Sequence, residues 1–110
     1  MAETIKDPAQ VALLATTLTD VYVVPVGTQA VCSSIVIANR TASRIRYRLA
    51  IAPGGAADTT AHYLAFDIPL TGFSSDVWTI GQTLGPGTKV RAYAAAVGIS
   101  VNVFRSEITP

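Results

Sequence analysis

Residues 44–51 read Arg-Ile-Arg-Tyr-Arg-Leu-Ala-Ile, a run in which long cationic and apolar side chains alternate. A period of two is the signature of a strand with one buried face, and a helix of 3.6 residues per turn cannot satisfy it. Ile45, Tyr47, Leu49 and Ile51 are expected on the core side, with Arg44, Arg46, Arg48 and Ala50 on the other. Ahead of this run, residues 29–39 form a longer candidate strand. It has Val31, Ile35 and Ile37 on one face and Cys32, Val36 and Ala38 on the other. Apolar residues on both faces place that strand centrally, or beneath a partner. Residues 39–43 close the two into a hairpin.

Proline and glycine punctuate the rest. Strands are expected at residues 11–17 and 19–24, the second closed by Pro25 and Gly27. After the turn at 53–58 come 62–68, stopped by Pro69, and 76–83, which carries Trp78. Residues 84–88 are a tight turn, and 89–95 with 99–107 make a last hairpin through Val97 and Gly98. About eight short strands at turn intervals near ten residues predict an all-β chain: a single antiparallel β-sandwich over 11–110, jelly-roll or Greek-key. The first ten residues lack such a pattern and are expected to be an extended arm, ordered only against a neighbour.

A chain of 110 residues supports one core and no more. Half of it is hydrophobic and only 14% is charged, against about 25% in ordinary soluble domains. Disorder is excluded by that composition. No apolar run approaches the length of a membrane helix, so no membrane partner is expected. A mean hydropathy of +0.43 with few charges implies that another subunit covers part of the surface. The opening residues carry no secretion-signal pattern. The single thiol, Cys32, reads as a buried packing residue.

Residues that carry chemistry are sparse. His62 is the only imidazole, and no spacing links it to Ser33, Ser34, Ser74 or Ser75 as a base and nucleophile. Its simplest reading is a strand-start residue at the sandwich edge. With Cys32 the only other soft ligand, no metal site and no cofactor are expected. The Gly81–Lys89 stretch lacks the Gly-Lys-Ser/Thr ending of a phosphate loop, and Pro86 removes a donor. Asn39-Arg40-Thr41 matches a glycosylation sequon that has no secretory context. No enzymatic activity is expected.

Charge is more informative. No Asp or Glu lies between Val21 and Ala57, whereas Arg40, Arg44, Arg46 and Arg48 supply half of the eight basic residues. The last three are expected as one row, facing either solvent or acidic groups of a partner, with Asp67, Asp76 and Glu107 of a neighbouring copy among the candidates. A formal net charge of +1 argues against nucleic acid. The candidate interface comprises Arg44, Arg46 and Arg48, with Lys6 and Asp7 of the arm and the aromatics Trp78 and Tyr93. A carbohydrate-binding module is the alternative of another class, with Tyr63, Trp78 and Tyr93 as its stacking candidates.

Residues 13–25 and 27–40, then 48–56, 62–67 and 104–108, are similar to small virion structural proteins of tailed bacteriophages. The likeness is one of strand and turn pattern, and no catalytic signature comes with it. It implies a virion location after synthesis in the bacterial cytoplasm. A domain standing nearly alone behind a short arm favours a capsid decoration (cement) protein bound to the major capsid protein or another virion protein, with a tail, baseplate or fibre module as the alternative. A homo-oligomer is expected, the trimer favoured by the three-fold sites of an icosahedral lattice.

Overall fold

The computed structural model describes residues 2–109, with the backbone alone at Ala2. Nine strands are present among the described residues: β1 Ala2–Ile5, β2 Ala9–Ala12, β3 Thr19–Val23, β4 Gln29–Asn39, β5 Ile45–Ala52, β6 Tyr63–Leu70, β7 Ser75–Leu84, β8 Lys89–Ala94 and β9 Ile99–Thr109. Pairing follows one rule. β5 meets β6, β4 meets β7, β3 meets β8 and β2 meets β9, all antiparallel. The chain is thus one long hairpin folded back between β5 and β6. Rolling it up adds the β4–β9 and β5–β8 ladders. The result is two sheets, β1-β9-β4-β7 with β2 also on β9, and β3-β8-β5-β6. This strand order is a jelly roll, which decides between the two topologies the sequence left open.

The core lies between the sheets. Ile35, Ile37, Tyr47, Leu49, Val90, Ile99, Val101 and Val103 are all fully buried there. Each aliphatic side chain so buried contributes about 1.5–3 kcal/mol relative to exposure. Two polar networks finish the interior. Tyr47 donates its hydroxyl proton to Asp76 Oδ2 at 2.7 Å and accepts from Trp78 Nε1 at 2.9 Å. At the other side Tyr22 donates to Glu107 Oε2 at 2.6 Å, with the Arg105 guanidinium 4.4 Å from the Tyr22 ring centroid.

Pro69 does not stop β6, which runs on to Leu70 as an edge strand where a missing N–H is tolerated. Three further expectations are corrected. Residues 11–17 are not one strand: β2 ends at Ala12, and the chain then crosses from one sheet to the other. Leu13 N donates to Ile99 O, while Thr16 N donates to Ala94 O in the opposite sheet. A segment that changes sheets cannot keep a two-residue period. In β4 the register shifts between Cys32 and Ser34, so Cys32 joins the buried set with Ile35 and Val31 turns outward. A bulge inserts one residue, and every later side chain changes face. Third, the expected arm is paired. β1 runs along Ser106–Thr109 and β2 along Ser100–Val103 of β9, so a boundary at residue 10 falls inside β2. Glu3, Thr4 and Ile5 are exposed, so β1 is held by its backbone ladder and leaves no apolar pattern to read. Met1, the arm's first residue, lies outside the described residues.

One end of the roll is tied by Asn39, which is 3% exposed. Its Nδ2 donates to the carbonyls of Ser43, at 2.7 Å, and Leu70, at 3.1 Å, while its Oδ1 accepts from Thr41 N and Oγ1. Gly72 must be glycine at this junction, because a Cβ there would sit 2.2 Å from the Ala42 carbonyl oxygen. The first residue of the sequon is therefore a buried structural knot joining the loops after β4 and β6.

Candidate functional site

The arginines are displayed on the outer face of the β3-β8-β5-β6 sheet. Arg46 and Arg48 alternate with buried Ile45, Tyr47 and Leu49 as strand period requires. Arg44 does not belong to the row: it precedes β5 in the loop and is exposed. What the row meets is set by a bulge in β6. Tyr47 pairs with Ile68 and Leu49 with Ala65, leaving Phe66 and Asp67 together opposite Arg48. Asp67 takes φ 53°, a left-handed conformation uncommon outside glycine. Bulges of this kind redirect side chains.

The bulge makes a compact patch. Arg48 Nε donates to Asp67 Oδ1 at 2.7 Å and Nη2 to Oδ2 at 3.4 Å. Arg46 Nη1 donates to the Asp67 carbonyl at 3.1 Å. The Arg48 guanidinium lies between two rings, 4.1 Å from the Phe66 centroid and 4.4 Å from that of Tyr93. Tyr63 meets Phe66 edge to face at 5.0 Å. The hydrogen bond from Arg48 holds the Asp67 carboxyl below the usual carboxylate range, and the same contact raises Arg48. On the same sheet Asp20 pairs with Arg91 at 3.0 Å and Lys89 at 3.2 Å. Its partial burial works the other way, yet these two cations keep its carboxyl lowered.

Asp67, Asp76 and Glu107, expected as acceptors on a neighbouring copy, are already engaged within their own chain. Asp67 holds Arg48, Asp76 accepts a hydrogen bond from Tyr47, and Glu107 accepts one from Tyr22 and lies 3.7 Å from Lys6. Among the expected interface residues, Arg46, Arg48 and Tyr93 share one patch. Lys6 and Asp7 lie apart from it, in the link between β1 and β2, where the Asp7 carbonyl accepts from Arg105. Trp78 is in the other sheet, partly buried against the core. Tyr63, Trp78 and Tyr93 therefore do not form one stacking platform. Phe66, half exposed, was missed because Leu64, Phe66 and Ile68 look like one face until the bulge is known.

His62 ends a short 3-10 turn before β6. It borders a groove of about 390 Å³ between the edges of β6 and β7, lined by Ile51, Leu64, Ile80 and Leu84. Its Nδ1 is buried without a hydrogen-bond partner among the described residues. Those residues contain no cluster of three or more His, Cys, Asp or Glu able to hold a metal.

No protein-family model matches the chain, and no curated protein is similar to it in sequence. Its similarities are structural. The pilus protein of Bacillus endospore appendages, a family of disulfide-linked pili, superposes with a TM-score of 0.57 at 17% identity, covering 99% of this chain and 91% of that one. A chain of the infectious bursal disease virus particle gives 0.53 at 14% identity over 96% of this chain, and one of the Gx strain gives 0.54 at 13%. The present chain spans only 29% of the first virus chain's length. At these identities the likeness is one of fold: an all-β sandwich that also occurs in viral particles and in a spore pilus.

Proposed function

We propose that this chain is a non-enzymatic structural protein of a bacteriophage particle, a decoration (cement) protein that binds the major capsid protein on the outer head surface. The observation that carries the reading is a closely packed Arg-aromatic patch on one face of a jelly roll, an architecture used by capsid domains. Arg48 is locked by Asp67 and two rings, so little side-chain entropy is lost when a partner docks. Arg46, exposed and bonded among the described residues to a carbonyl alone, retains the charge that an acidic partner surface would meet. Many copies on one shell make a modest affinity per copy sufficient.

Replacing Arg44, Arg46 and Arg48 together with glutamine tests this. The fold should survive, since none of the three is in the core. Co-sedimentation with heads should weaken, and the difference from the natural chain should shrink as salt rises. Undiminished attachment at low salt would remove the patch from the interface.

A second reading is a fibre or filament subunit, favoured by the near complete coverage of the spore pilus protein. Cys32 is fully buried, and burial raises its thiol pKa, so such a filament would not be linked through it. Electron microscopy of the assembled material separates a decorated shell from a fibre.

A further inference from the structure

The opposite face of the roll has a different chemistry. The register sets its outward side chains in rows across the β1-β9-β4-β7 sheet. Val77, Val36 and Asn102 form one row, Thr79, Ser34 and Phe104 the next, and Thr83, Val31, Ser106 and Ile5 a third. A further row holds Ser75, Ala38 and Ser100. None of these carries a charge. Among the described residues of the four strands, the one charged outward side chain is Glu3, at the corner, 3.2 Å from Ser106 Oγ. Ile5 is 87% exposed, Val77 62% and Phe104 38%. Ile5, Val31, Ser33 and Phe104 border a shallow depression of about 310 Å³, with Lys6 and Arg105, both in reach of Glu107, at its rim.

We infer that this face pairs with the same face of a second copy, giving a two-fold dimer in solution. A face whose only charges lie at its corner and rim loses few hydrated ions on being covered, and it has little to offer a charged partner. The chain's own second copy presents the same charge-poor, hydroxyl-rich surface, with hydroxyls able to pair across it. The size fits. Four strands abreast, the longest of eleven residues, make a face of roughly 600 Å², approaching the about 800 Å² per partner of a standard interface. A single patch that meets itself gives a two-fold contact, whereas a three-fold ring needs two unlike patches. This replaces the trimer expected from lattice symmetry. The pairing is tested on the free chain, so its failure and that of the particle reading are distinguishable.

The test is molar mass by light scattering across micromolar concentrations. The natural chain should approach twice the chain mass. Val36→Lys, at the middle of the face, and Val77→Lys, on the edge strand where the side chain is already exposed, should each shift it to one chain mass. Their thermal unfolding at high dilution should match the natural chain, and Arg46→Gln should leave the dimer intact. A natural chain that stays monomeric through this range would overturn the proposal. So would a mass of three chains, or folded lysine variants that keep the dimer mass.

Discussion

Single residues decide more here than composition suggests. Asn39 satisfies backbone groups in two loops with one buried amide. Asn39→Ala would leave those groups buried and unpaired, so it should lower unfolding free energy by about 2–3 kcal/mol in a urea titration. The same residue heads a sequon, and its sequence context gave no sign of burial, because the partner that ties it to the second loop, Leu70, is 31 residues away. Tyr22 carries a pH signature. Burial, then the hydrogen bond to Glu107, pushes its phenol up to about 12 from an ordinary 10.0. The folded state therefore holds that proton after the unfolded chain has released it. Stability from this group is complete below pH 10 and is lost as pH rises through about 12. The thermal midpoint of the natural chain should fall more steeply over that window than that of Tyr22→Phe. Parallel curves would remove Tyr22 as the cause.

At the scale of elements, legibility tracked burial. β5 was readable because Ile45, Tyr47 and Leu49 are all in the core while Arg46 stays outside. The length of β4 was also readable, yet its faces were not, because the bulge at Ser33 reverses the alternation between Val31 and Ile35. β1 was invisible because its described side chains are exposed and its backbone ladder leaves no apolar pattern. The patch was half legible. Strand period placed Arg46 and Arg48 together, but the Phe66-Asp67 bulge depends on which strand β6 pairs with, and alternation along β6 hides it. That bulge makes a prediction of its own. Asp67→Gly and Asp67→Ala both remove the carboxylate that holds Arg48, but only alanine must keep a Cβ at φ 53°. Asp67→Ala should therefore be the less stable by about 1 kcal/mol in chemical denaturation. Equal stabilities would mean that the bulge relaxes when the ion pair is gone.

The whole molecule is a roll with two unlike faces. Arg46, Arg48, Lys89 and Arg91 stand on one sheet with Asp20 and Asp67, and the other sheet shows hydroxyls and small apolar groups. The low charge of the sequence is thus uneven in space. The segregation could not be read along the chain, because strands of the two sheets interleave in a jelly roll. A body with one charge-poor face and one charged face offers two chemically distinct surfaces for repetitive assembly, where each contact is used many times. The assembly proposed for it is a virus particle. Cryo-electron microscopy of particles purified from the cells that make the chain tests it most directly. The account predicts density matching the jelly roll at regular positions on the outer head surface, with the Arg46–Arg48 face against the shell. Purified particles that lack the chain altogether, with the protein found only outside them, would contradict it.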